Sequence, residues 1–178
     1  MTTYLAPAEI PCFPEDRDAP RCDREEEMKV LGELYGPVGP GIANGLHAVC
    51  DTSPEEIGKL DENGIARASC EHEVENTGEI LGVLGHMHEI GKTYRMTLNP
   101  GTPEEKILLD IPRWDFDWQF NYKPKEKIVL EEGDVIRVEC SWDRNLFPVD
   151  AEPHWVSWAE GTEDEMCYST VATRETGD

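Results

Sequence analysis

Beyond Leu46 the chain is a succession of short runs, each bounded by turn residues, and this punctuation limits the fold more than any other feature. The runs are ARASCEHEV (66–74), EILGVLGHMHEI, KTYRMTL, EKILLDI, KIVL, DVIRVECSW and EMCYSTVATR (165–174). Between them stand DENG (61–64), NPGTPEE (99–105), KPKEK and EEGD (131–134), sequences that favour turns. Within the runs apolar residues alternate: Tyr94, Met96 and Leu98 share one strand face, and Ile136, Val138 and Cys140 share another. The clearest alternation is Trp114, Phe116, Trp118, Phe120 and Tyr122 against Asp115, Asp117, Gln119 and Asn121. It predicts a half-buried strand with its aromatic face in the core. About seven or eight short strands with little helix predict an all-β fold, an antiparallel β-sandwich or jelly roll.

One short helix is expected, over residues 23–36, DREEEMKVLGELYG. Asp23 caps it, Glu25, Glu26 and Glu27 suit its positive first turn, and Met28, Leu31 and Tyr35 recur at helical spacing. Gly36 and Pro37 end it, and the GPVGPGIANG that follows reads as loop. It has no Lys-Ser/Thr pair, so it is not a phosphate loop. Residues 1–22, with Pro7, Pro11, Pro14 and Pro20 among charged residues, read as irregular. The expected organisation is an N-terminal arm with its helix over 1–45 and a β-sandwich domain over 46–178.

At 178 residues the chain can bury one substantial core. Its formal net charge of −22 argues against nucleic acid and anionic membrane as partners, because such a surface repels phosphate. No apolar run is long enough to span a bilayer. The opening MTTYLAPAEIPCF lacks the basic start and apolar core of a signal peptide, so export implies a leader already removed. The six cysteines, Cys12, Cys22, Cys50, Cys70, Cys140 and Cys167, form no CxxC. They predict disulfides in a secreted or extracytoplasmic protein, with the pairing left open by spacing alone.

The chemistry is expected in LGVLGHMHEIGKTY (81–94). His86 and His88, two apart on a strand, aim two imidazoles at one point, and Gly91 lets the chain turn out. A metal needs a third donor. His47, His72, His154, the carboxylates and Met166 are the candidates. If Met166 and Cys167 lie in a strand, the thioether faces one side while the thiol pairs on the other. Two imidazoles and a thioether select copper, especially Cu(I), and three ligands leave a position open for dioxygen.

These motifs also occur together in a known order. His86-Met87-His88 with Gly91, then Gly133-Asp134 followed by Glu139-Cys140, then Gly161-Thr162 and Glu165-Met166-Cys167, resemble the C-terminal domain of the type II, ascorbate-dependent copper monooxygenases. That is the peptidylglycine α-hydroxylating and dopamine β-monooxygenase group, and the resemblance covers about residues 66–174. It implies a jelly-roll sandwich whose copper is held by His86, His88 and Met166, with no further catalytic side chain. It also implies a Cys140–Cys167 disulfide that clamps the Met166 strand beside its neighbour. Cys70 stands where the family has a half-cystine whose usual partner has no counterpart here. Cys50 is assigned to it, leaving Cys12 with Cys22.

The departures define the expectation further. The family's second, electron-delivering copper domain with its paired histidines has no counterpart, and Leu84 stands where peptide-hydroxylating members place an arginine for the substrate carboxylate. Tyr168 replaces an expected Asn. Peptidylglycine is therefore not the expected substrate. The reading is a single-domain mononuclear copper protein of monooxygenase type, with one ion cycling between Cu(I) and Cu(II). It would act on a small molecule, with electrons from an external reductant such as ascorbate or from a lost or separate electron-transfer partner. The alternative is a copper-binding module (chaperone, store or sensor) without turnover. A structural or carbohydrate-binding sandwich with incidental histidines is the third possibility.

Overall fold

A computed structural model describes residues 1–175. In chain order it contains β1 (Thr2–Ala6), β2 (Glu9–Ile10), α1 (Arg24–Tyr35), α2 (Val38–Val49), α3 (Pro54–Ile57), β3 (Ile65–Glu73) and β4 (Gly78–His86). Then follow β5 (Gly91–Leu98), β6 (Lys106–Ile111), β7 (Val129–Leu130), β8 (Val135–Asp143), β9 (Val156–Ser157) and β10 (Cys167–Arg174). Two four-stranded sheets, ordered β1-β10-β4-β7 and β3-β8-β5-β6, face each other, and β2 pairs with β9. Every named strand pair is antiparallel. The fold is the expected all-β sandwich.

The alternation read in the sequence sets the inner faces. Tyr94, Met96 and Leu98 of β5 and Ile136, Val138, Cys140 and Trp142 of β8 are buried in one layer. Ile80 and Val83 of β4 and Val171 of β10 are buried in the other. The Tyr94 hydroxyl crosses to Ser169 Oγ at 2.6 Å, so the one polar atom that this ring carries into the core is satisfied.

The disulfides are Cys12–Cys22, Cys50–Cys70 and Cys140–Cys167, as expected. Together they suit an oxidising, extracytoplasmic environment. Cys140–Cys167 does not join neighbouring strands, however. It links β8 in one sheet to β10 in the other and staples the sandwich across its core. No helix among the described residues is long and apolar enough to cross a membrane.

Three readings are corrected. First, helix is not confined to α1. GPVGPGIANG opens a second long helix, α2, and a short third helix, α3, follows. Pro40 stands in the first turn of α2, where backbone N–H groups have no intrahelical partner, so its missing donor costs little. Gly39, Ala43, Leu46 and His47 form its buried stripe. Residue 46 thus lies inside a helix, and Cys50–Cys70 ties the end of that helix to β3.

Second, residues 1–22 are not wholly irregular. β1 is the edge partner of β10, in register from Thr2↔Val171 to Ala6↔Cys167. The segment 1–45 is therefore built into the sandwich.

Third, residues 114–122 do not form a strand; only Tyr122 bridges to Val83. Asp115 Oδ1 accepts Asp117 N at 3.1 Å and its carbonyl accepts Trp118 N at 3.0 Å. An aspartate that satisfies nearby backbone donors bends the chain where alternation alone reads as extended. Trp114 is buried, but Trp118 is 67% exposed and Phe120 48% exposed, so the aromatic stripe is not a core face.

A buried ionic cluster fastens the helices to the sandwich. Glu9 of β2 accepts from Arg24 Nε and Nη2 (2.9 and 2.6 Å), Trp155 Nε1 (2.6 Å) and Ser157 Oγ (2.9 Å). His47 Nε2 of α2 completes the set at 2.8 Å. Burial by itself would push the Glu9 carboxyl up; the bonds from His47, Arg24 and Trp155 outweigh it and hold the group below its ordinary value. A depressed carboxyl stabilises the fold above its unfolded-state pKa, here 4.5, and that contribution is lost as pH falls through the lower folded value. Glu9→Gln should cost about 1–3 kcal/mol near neutral pH, by leaving the partly buried Arg24 without its charge partner and the donors around Glu9 poorly matched. In denaturant titrations the gap between wild type and variant should narrow as pH falls below 4.5. A gap independent of pH would contradict this account.

Candidate metal centre

β4 ends at His86, and His88 stands just past it in the turn to β5. The two histidines therefore do not share one strand, yet their rings face the same groove, with centroids 5.0 Å apart and planes at 74°. Met166 lies immediately before β10, whose Tyr168 pairs with His86. An open groove of about 540 Å³ is lined by His86, His88, Met166, Phe116, Trp158, Tyr168, Glu160 and Thr162. All three expected ligands thus open onto one space.

Each imidazole is oriented through Nδ1. Gln119 donates from Nε2 to the Phe116 carbonyl at 2.7 Å, which turns its Oε1 toward His86 Nδ1 at 2.6 Å. His88 Nδ1 lies 3.0 Å from the Asp164 carbonyl. Both partners are acceptors, so both Nδ1 atoms carry the proton and both Nε2 lone pairs are left free. Metal-binding histidines are held in this way, by a carbonyl on the other ring nitrogen. Burial, aided by the proximity of His86, holds His88 below its ordinary pKa against the opposing pull of the Asp164 and Gly161 backbone.

The backbone around His88 is fixed by Glu165, a residue the sequence reading used only as part of a motif. Its Oε2 accepts His88 N (2.8 Å), Trp142 Nε1 (3.0 Å) and Met166 N (3.2 Å), and its Oε1 accepts Ile90 N (2.9 Å). Burial pushes the carboxyl up to about 8, against the pull of these four donors. One side chain thereby joins the His-x-His turn to the methionine. Trp114 adds a bond from Nε1 to the His88 carbonyl at 3.1 Å. A Cβ on Gly91 would come within 2.7 Å of Trp114 Cδ1 and 2.9 Å of Met87 Cε. Gly91 is therefore needed for close packing, and its φ is not positive as an abrupt turn would suggest.

The remaining histidines lie elsewhere. His47 bonds Glu9, His72 Nε2 donates to the Leu5 carbonyl at 2.7 Å, and His154 Nδ1 donates to the Glu152 carbonyl at 3.0 Å. Among the described residues no three His, Cys, Asp or Glu side chains converge as a metal site would require. The His86, His88 and Met166 set contains only two residues of those types. With its thioether it fits a soft or borderline metal better than a hard one. Phe116 and Gln119 entered the sequence reading only as parts of an expected strand and Glu165 only as part of a motif, while Asp164 and Trp158 were not singled out. The contacts of Gln119, Asp164 and Glu165 with His86 and His88 join segments far apart in the chain, which local spacing does not record.

No protein-family description matches this chain, and no curated protein matches it. Among solved structures it is similar to a ruminal GH26 endo-β-1,4-mannanase, at 16% identity and a TM-score of 0.26. The match covers 69% of this chain and 22% of that one, and carries no argument about fold or function.

Glu165→Gln would turn an NH2 group toward N–H donors that now share the two oxygens of a carboxyl group. It should destabilise the protein by about 1–3 kcal/mol for each donor orphaned, and amide exchange at His88 and Ile90 should accelerate. Unchanged thermal stability together with unchanged exchange would remove Glu165 from its central place.

Proposed function

We propose that this chain is a mononuclear copper protein of monooxygenase type, with His86, His88 and Met166 as its ligands. The observation that carries the reading is the donor set itself. Two imidazoles with both Nδ1 protons engaged, and one thioether, open onto the same groove. The resemblance to the catalytic domain of the ascorbate-dependent copper monooxygenases rests on the same residues. Bound copper would supply one-electron redox chemistry and activation of dioxygen or peroxide.

The chain's own residues would do the rest. Gln119 and Asp164 hold the imidazoles with Nε2 free, and Glu165 keeps Met166 beside them. Phe116 and Tyr168 stand edge-on to the His88 and His86 rings, with centroids 6.3 and 6.0 Å apart, and wall the groove with apolar surface. Among the described residues, Glu160 is the one carboxylate-bearing side chain that lines it. With Leu84 at the position of the family's carboxylate-binding arginine, the groove suits a small molecule without a carboxylate. The net charge of −22 favours the approach of metal cations. An external reductant such as ascorbate, or a separate electron-transfer partner, would supply electrons. Secretion fits the three disulfides.

Competition titration with Cu(I) tests the ligands. Met166→Ile and His86→Ala should each weaken binding by about tenfold or more. If neither does, the ligand set is wrong. Ascorbate-dependent consumption of dioxygen or peroxide by the copper-loaded protein then tests turnover. Tight copper binding without any consumption would favour a copper chaperone, store or sensor.

A further inference from the structure

Helix α1 reaches the candidate metal centre through one hydrogen-bonded chain. Tyr35, its last residue, donates from the hydroxyl to Asp164 Oδ2 at 2.8 Å. The same oxygen accepts Gly161 N at 3.0 Å, which closes the turn before the methionine. The Asp164 carbonyl then accepts His88 Nδ1 at 3.0 Å. The route runs from phenol to carboxylate, through one residue's backbone, to the imidazole.

The packing at Gly161 shows how closely the helix is applied to this turn. A Cβ there would collide with the Tyr35 hydroxyl and lie 2.8 Å from Asp164 Oδ2. Asp164 is itself buried, so its carboxylate depends on these protein donors more than on water. Nothing in the motifs of the sandwich calls for a residue of the N-terminal segment. The contact spans a sequence separation of 129 residues.

We infer that Tyr35 is a positioning residue for the metal centre. Its hydroxyl holds the 161–166 turn closed, so that the His88 imidazole and the Met166 thioether are presented together. The inference rests on the copper reading for its purpose, but its geometry rests on contacts among this chain's own residues. The α1 helix thereby becomes part of the site.

The test has a metal-free arm and a copper arm. In the metal-free protein, imidazole 15N NMR should show His88 in its Nδ1–H form. Tyr35→Phe, which keeps the ring and loses the hydroxyl, should convert it to a tautomer mixture. The same variant should speed amide exchange across 161–166 by about tenfold, as expected when a local closing contact is lost. Leu34→Ala, on the same helix but 64% exposed, should change neither. With Cu(I), Tyr35→Phe should bind about tenfold more weakly, the size seen when an outer partner of a metal ligand is removed. If Tyr35→Phe fails to fold, Asp164→Asn weakens the same link from the loop side and is read by the same spectra. A His88 spectrum and turn exchange identical to wild type would overturn the inference, whatever the copper result. A wild-type protein that binds no Cu(I) would instead sink the copper reading, and the metal-free arm would still decide whether Tyr35 positions His88.

Discussion

The fully buried Glu165 carboxyl group is the contact on which the site depends. It faces no cation. Four N–H donors surround it, from His88, Ile90, Met166 and Trp142. Its two oxygens share the four bonds, three on Oε2 and one on Oε1, which the single oxygen of an amide could not do. Two chain segments far apart in sequence, the His-x-His turn and the methionine before β10, are thus held by one group. The Cys140–Cys167 bond, one residue further along, fixes the start of β10 to the opposite sheet. Donor placement is then a consequence of how the sandwich closes.

Glu9 offers the contrast. It is equally buried, yet it is bound by Arg24 and His47 and sits lower in pKa than an ordinary glutamate, whereas Glu165 sits higher. The first is a structural ion pair that anchors α1 and α2 to β2. The second is a hub of neutral donors beside the proposed ligands. The two are linked through α1: Arg24 in its first turn binds Glu9, and Tyr35 at its end reaches Asp164. The N-terminal segment thus runs from the ion pair to the groove.

Much of the sandwich was legible in the sequence because period-two alternation reports burial directly. β5 and β8 were read from Tyr94, Met96, Leu98, Ile136, Val138 and Cys140, and those side chains are buried. Capping signals placed α1, whose Asp23 side chain accepts from Glu25 and Glu26. Alternation failed at residues 114–122, where the Asp115 side chain bonds nearby backbone, and composition failed at α2, where Gly39 and Pro40 fall in a tolerant first turn. The donor residues His86, His88 and Met166 were legible as a motif, and they line one groove. Their supports were not. Gln119, Asp164 and Tyr35 act through contacts between segments remote in sequence, which local spacing does not record.

The central claim is that two imidazoles and one thioether bind a single copper ion. X-ray absorption of the Cu(I)-loaded protein tests it most directly. The account predicts two imidazole nitrogens and one sulfur in the inner shell, with the sulfur signal lost in Met166→Ile. A spectrum without sulfur in the wild type, or one unchanged by the substitution, would contradict it.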